Sequence, residues 1–140
     1  MRIMQTFDPS YLLEYFPKIF QTKGQFRDAF YRKLLEDAPE LQPHFDRYPI
    51  AKTHMMERFM TDLVRSATSG SGIADLVSRF SASHKKFNLT DRHFTACEVA
   101  MKYAFEQVRQ VHHSLPSDAE LNFHMFLEIV FHELRKTAQG

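Results

Sequence analysis

The sequence has a single cysteine and almost no net charge, and each of these features excludes some classes of protein. Cys97 is the only cysteine in 140 residues, which excludes an internal disulfide framework and favours a reducing compartment. The formal net charge is only +1. A broad surface for nucleic acid needs a clustered excess of Lys and Arg, so we expect no nucleic-acid partner.

Long apolar runs are missing as well. Residues 1–9 contain no apolar stretch long enough for a signal peptide, and no later run approaches the length that spans a membrane. We therefore expect a soluble cytoplasmic protein with no membrane partner. The chain is nevertheless 44% hydrophobic, and a chain of this length buries roughly two-thirds of its unfolded surface. The expectation is one globular domain over residues 1–140.

Glycine and proline are also scarce, with four and six residues, and the main breaks in the apolar pattern fall at 69–72 and 115–117. Between these breaks the apolar residues recur at helical spacing, and no segment shows convincing two-residue alternation. The sequence therefore predicts an all-α protein. The predicted helices begin near Asp8 and Pro9, cover 24–37, 51–68, Ile73 to His84, 90–113 and 117–136, and include a short turn from Pro39 to near Phe45.

One apolar stripe ends in a histidine. Leu76, Val77 and Phe80 lie on one face of their helix, and the next four-residue step from Phe80 is His84. His84 is therefore expected to face the core. Periodicity alone leaves two alternatives open, because an inward histidine is more often a satisfied core residue than a ligand. The same holds for the 14 phenylalanines, which fit a core as well as a cofactor pocket.

Two segments favour the second alternative. Residues 30–45, FYRKLLEDAPELQPHF, resemble the second helix and the following corner of bacterial single-domain globins and of the globin domains of flavohaemoglobins. Residues 83–94, SHKKFNLTDRHF, are similar to the stretch of the same family that carries the proximal haem histidine. The two segments occur in the family's order and spacing. The resemblance covers residues 8–136 and is weakest in the last helix.

The resemblance implies a globin fold that holds haem b, iron protoporphyrin IX, with His84 as the ligand of the iron. Phe45 then stacks on the porphyrin from the corner, and Tyr31 matches a distal tyrosine whose hydroxyl donates a hydrogen bond to bound gas. The alternative for Phe45 and Tyr31 is an ordinary core aromatic. Phe80 and Leu89 complete the implied proximal contacts with haem.

The distal helix departs from the family's pattern. A count from Phe45 without a gap places Met55 where relatives carry a distal His or Gln, and Phe59 one turn later over the ring. A shift that moves His54 to this place would drive Arg58 into an apolar pocket, which is costly. We therefore favour Met55, which either lines the pocket or becomes a sixth ligand. Arg58 then lies at the rim, where it pairs with a haem propionate or is simply solvated.

The proximal side also departs from the pattern. Ten residues after His84, where relatives that activate dioxygen often carry a Tyr, this chain has Phe94, which lacks a hydroxyl. No reductase domain follows in this chain, so steady turnover would need a separate reductase. The sequence therefore favours reversible binding of dioxygen, nitric oxide or carbon monoxide. The alternatives are a nitric oxide dioxygenase with a separate reductase, and a gas sensor or haemless regulator, with a homodimer among the possible partners.

The sequence contains few other candidate sites. His124, Glu128 and His132 fall on one helical line and have the spacing of a metal site, but a solvated helix face is the more common role for such a line. Cys97 belongs to an inward stripe and is expected to be inert. Neither group changes the predicted function.

Overall fold

A computed structural model describes residues 14, 23–47, 58–59, 61–62, 65, 72–84, 89–111 and 117–137. This part of the chain contains helices and no strand, so the predicted all-α class is confirmed. No helix within it is long and apolar enough to cross a bilayer. The elements are α1 (Lys23–Asp37), a 3₁₀ turn (Pro39–Leu41), α2 (Gln42–Arg47), α3 (Gly72–His84), α4 (Asp91–Val111) and α5 (Ser117–Thr137).

The predicted helix bounds agree with these elements to within two residues wherever the structure describes them. The predicted start of a first helix at Asp8 and Pro9 lies outside the described residues, although residue 14 is helical. Most of the predicted helix over 51–68, including His54 and Met55, also lies outside them. Its described residues are helical: Arg58, Phe59, Thr61, Asp62 and Arg65.

Local sequence explains the turn that follows α1. Phe26, Phe30 and Leu34 recur every fourth residue and are all buried, which gives α1 one apolar face. The helix ends where the Ala38 N–H donates to the Leu34 carbonyl at 2.7 Å. Proline is favoured at the first position of a helix, and Pro39 begins the 3₁₀ turn there. The helix that follows this turn, α2, carries Phe45, which packs against the core.

Small side chains bring α1 and α4 close together, and this is the most extensive packing between described helices. Ala100 and Ala104 of α4 are completely buried, and Ala29 of α1 is 6% exposed. Because these side chains stop at Cβ, the two backbones can approach closely and the aromatic residues fill the space on either side. Phe26 of α1 also meets Phe123 of α5 edge to face, with 6.3 Å between ring centroids.

Charge pairs fix the register of α4 against α5. Arg135 donates to Glu98 at 2.7 Å, and Lys102 donates to Glu128 at 2.9 Å. Since the later residue of α4 pairs with the earlier residue of α5, the helices are antiparallel. Glu98 is only 8% exposed, and it pairs with Lys102 at 3.2 Å as well as with Arg135, so this buried carboxylate has two cationic partners. The sequence analysis did not predict this pairing.

Candidate functional site

His84 ends α3 and is held in a defined orientation by the turn that precedes it. Its Nδ1 lies 2.9 Å from the carbonyl oxygen of Phe80. A carbonyl can only accept, so Nδ1 carries the proton, and in the neutral imidazole the lone pair is on Nε2. The two rings stack with 3.8 Å between centroids and 10° between planes. The chain therefore fixes both the tautomer and the plane of the imidazole.

Phenylalanine rings from three other helical segments extend the stack of Phe80 on the half-buried His84 into a cluster. Phe59 lies 5.7 Å from Phe80, and Phe94 lies 6.2 Å from it, measured between ring centroids. Phe131 of α5 adds a further contact, 6.5 Å from Phe59. Leu89 packs, partly buried, against the same core. The structure thus brings four predicted site residues, Phe59, Phe80, His84 and Phe94, into one aromatic cluster.

Tyr31 and Phe45 form a second aromatic contact, with 5.1 Å between centroids and 73° between planes. Tyr31 is 8% exposed, and Phe45 packs half-buried against the core. Burial, with a smaller contribution from Cys97, raises the pKa of Tyr31 well above its usual value, although the Arg27 guanidinium opposes the shift. The hydroxyl is therefore protonated across the physiological range and is able to donate.

Helix α4 connects the two groups of aromatic residues. Phe94, beside Phe80, and Cys97, close enough to Tyr31 to raise its pKa, are one turn apart on this helix. Burial raises the pKa of the Cys97 thiol to about 12, so no thiolate competes as a ligand in this region. The prediction that Cys97 faces inward is confirmed.

A surface recess of about 270 Å³ lies beside Tyr31, and its described walls are Arg27, Asp28, Tyr31, Arg32 and Leu35. All five residues belong to one side of α1. Because Tyr31 also touches Phe45, it links this recess to the aromatic core. Sequence reasoning missed Arg27, although its position four residues before Tyr31 on a predicted helix was a usable signal.

The remaining predicted site residues do not join these groups. Arg58 is exposed, which agrees with its predicted place at a rim or in solvent. Met55 and His54 lie outside the described residues. Within the described part of the chain, no cluster of three or more His, Cys, Asp or Glu side chains has the arrangement of a metal site. In the proposed His124, Glu128 and His132 line, the Glu128 carboxylate instead accepts from Lys102.

His93 connects the start of α4 to the 3₁₀ turn through hydrogen bonds. The Thr90 N–H donates to Nδ1 of His93 at 3.0 Å, so the proton of the neutral ring is on Nε2, which lies 2.9 Å from Glu40. Arg92 also pairs with Glu40 and donates to the carbonyl of Asp37 at 3.2 Å. These bonds hold the chain just after Leu89 against the 3₁₀ turn. They therefore fix the start of α4 relative to the turn that leads to Phe45.

We expect these hydrogen bonds of His93 to make stability pH-dependent. Burial, with a smaller contribution from Arg92, lowers the pKa of His93 below 6.5, and protonation of Nδ1 would remove the acceptor for Thr90. Burial also lowers the pKa of His124. The unfolded chain then binds more protons near pH 6, so the free energy of unfolding falls as the pH drops through about 6.5 towards the folded-state values. Each histidine contributes at most about 1.4 kcal/mol per pH unit.

Urea unfolding at pH 7.5, 6.5 and 5.5 measures this effect. His93→Asn replaces Nδ1 with an amide oxygen that still accepts from Thr90 and does not titrate, so its stability should fall less steeply with pH than that of the wild type. His132→Asn, on the exposed face of α5, controls for the loss of one histidine. Equal slopes for the wild type and His93→Asn would contradict the role given to His93.

No family model matches this chain, and comparison with curated proteins and with solved structures finds no match.

Proposed function

We propose that this chain is a globin-fold protein that binds haem b through His84 and reversibly binds a diatomic gas. The observation that carries the proposal is the hydrogen bond from His84 Nδ1 to the Phe80 carbonyl, 2.9 Å, inside a wall of phenylalanine rings. This bond directs the lone pair of a neutral imidazole to Nε2. A histidine that binds iron through Nε2 needs this tautomer, and its Nδ1–H is normally held by such an acceptor.

The residues present fit a haem on the proximal side. The donor is a neutral imidazole, the usual axial ligand of a gas-binding haem. It stacks on Phe80, which in turn contacts Phe59 and Phe94, so this aromatic cluster is apolar. Apolar walls exclude water and suit the flat faces of a macrocycle. A protonated Cys97 leaves the imidazole as the better ligand in this part of the core.

The residues of the distal side fit a polar gas. Tyr31 is buried against Phe45, and its raised pKa keeps the hydroxyl protonated, which is the state that can donate. A surface recess lies beside Tyr31. When bound, the haem supplies the iron atom at which a diatomic gas coordinates. The chain itself fixes the imidazole, shields the pocket and donates one hydrogen bond.

The packing of the helices supports the globin part of the proposal. Helix α1 packs across α4 through alanines, α4 and α5 are antiparallel, and the 3₁₀ turn and α2 place Phe45 against α1. The globin fold is likewise all-helical and packs its helices pairwise around a haem pocket. The aromatic groups here are the Phe80 cluster and the Tyr31–Phe45 contact.

Reversible binding is favoured over the dioxygenase alternative by the environment of His84. Phe94, which meets Phe80 at 6.2 Å, has no hydroxyl with which to polarise the imidazole. The described acceptor for Nδ1 is a neutral carbonyl, which draws less charge from the ring than a carboxylate would. The chain therefore pushes little electron density towards a bound ligand.

An absorption spectrum of the purified protein tests the proposal. Protein reconstituted with one equivalent of haem should show a Soret band whose position shifts between the ferric, ferrous and carbon monoxide-bound forms. A low-spin ferric spectrum would indicate a sixth ligand, for which Met55 and His54 are the candidates. A chain that does not retain haem would support the haemless regulator instead, and fast nitric oxide turnover with an added reductase would support the enzyme.

A further inference from the structure

The outer face of α5 carries an apolar stripe that no described helix covers. Leu121 is 56% exposed and Ile129 is 39% exposed, which is unusual for large aliphatic side chains. Met125, half-buried, lies between them at four-residue steps. On a helix, residues four apart lie one above the other, so these three side chains form a continuous row.

Charged and polar side chains continue this row at both ends. Asp118 lies one turn before Leu121, and His132 and Lys136 follow Ile129, all of them exposed. The row is nearly symmetric about position 127: 118 mirrors 136, 121 mirrors 132, and 125 mirrors 129. Its two ends carry opposite charges, Asp118 near the start of α5 and Lys136 near its end. In an antiparallel pair of these rows, Asp118 meets Lys136 and Met125 meets Ile129, which are complementary pairs, while Leu121 meets His132.

We propose that the outer face of α5 binds the same face of a second copy of this chain, with the two helices antiparallel. Met125 then lies opposite Ile129 of the second copy, and the reverse contact repeats across the two-fold axis. Asp118 lies opposite Lys136 of the second copy at each end. Isologous contacts of this type close after two copies, so the product is a dimer.

The size of the face predicts a weak dimer. The row from Asp118 to Lys136 spans about 27 Å along the helix, and a helix face about 10 Å wide gives roughly 300 Å² per copy. Stable interfaces bury about 800 Å² per partner, so the association should be reversible in the micromolar to millimolar range. This inference does not depend on haem.

Sedimentation velocity of the full chain between about 10 µM and 1 mM tests the proposal. The wild type should shift from monomer to dimer with concentration, and Ile129→Glu should raise the dissociation constant at least about tenfold, because it places a carboxylate against Met125 of the second copy at both symmetry-related contacts. Val111→Glu is the matched control, since Val111 is 61% exposed but lies off this row. A wild type that stays monomeric at 1 mM, as expected if the row serves a different protein, overturns the proposal.

A charge exchange tests the antiparallel geometry. Asp118→Lys alone places two lysines opposite each other at both ends, so the dissociation constant should rise. The double variant Asp118→Lys with Lys136→Asp restores opposite charges only if the helices are antiparallel, and dimerisation should recover. Failure of the double variant to recover, with a circular dichroism spectrum equal to that of the wild type, would overturn the geometry. A loss of dimer in Val111→Glu equal to that in Ile129→Glu would overturn the choice of face.

Discussion

Replacing His84 with alanine should yield a folded protein that no longer retains haem stoichiometrically. His84 is half-buried at the end of α3, and the substitution removes its imidazole from the aromatic cluster without adding a buried charge. The substitution also removes the hydrogen bond between the imidazole and the Phe80 carbonyl. That carbonyl remains part of the backbone of α3. The fold is therefore expected to survive while the iron loses its protein ligand. Pyridine haemochrome analysis after gel filtration measures the retained haem.

Two further variants make this result specific. His132→Ala removes an exposed histidine of α5 and should retain full haem. His84→Gly leaves a space beside Phe80, and added imidazole should restore a five-coordinate ferrous spectrum in that variant. If His84→Ala purifies with full haem and an unchanged ferrous spectrum, the assignment of His84 is wrong. A wild type without haem would instead contradict the proposed function as a whole.

Local features of the fold were predictable from the sequence. The four-residue spacing of Phe26, Phe30 and Leu34 predicts one buried face, and the structure confirms it. Pro39 predicts the break between α1 and the corner, because proline starts a helical turn more readily than it continues one. The contact between Phe80 and His84 also spans only one turn. In each case the partners are close in sequence, so backbone geometry alone brings them together.

Contacts between distant segments were not predictable in the same way. The bonds of Arg135 with Glu98 and of His93 with Glu40 depend on the register of packed helices, and the sequence pattern leaves that register open. Charged residues have many possible partners, and only the packing of the helices limits the choice. The neighbours of Tyr31 show the same limit: the resemblance gave Tyr31 and Phe45 separate contacts with haem, and it predicted neither the contact between them nor the proximity of Cys97.

Replacing Tyr31 with phenylalanine should speed the dissociation of dioxygen from the ferrous protein. The substitution keeps the ring that packs against Phe30 and Phe45, at 4.8 and 5.1 Å, and removes only the hydroxyl. Burial holds that hydroxyl protonated, so in the wild type it is available to donate to a polar ligand. A lost hydrogen bond in an apolar pocket costs about 1 to 3 kcal/mol, which corresponds to a rate increase of about 5- to 150-fold.

Carbon monoxide separates a hydrogen bond from a steric effect. Bound carbon monoxide is less polar than bound dioxygen, so its dissociation rate should change much less in Tyr31→Phe. Tyr103→Phe is the matched control, because that hydroxyl accepts from Arg32 at 3.2 Å on the α1–α4 surface, away from Phe45. Stopped-flow displacement of each gas measures both rates. Equal changes for the two gases would mean that Tyr31 acts by shape, which would contradict the hydrogen bond proposed for the distal side.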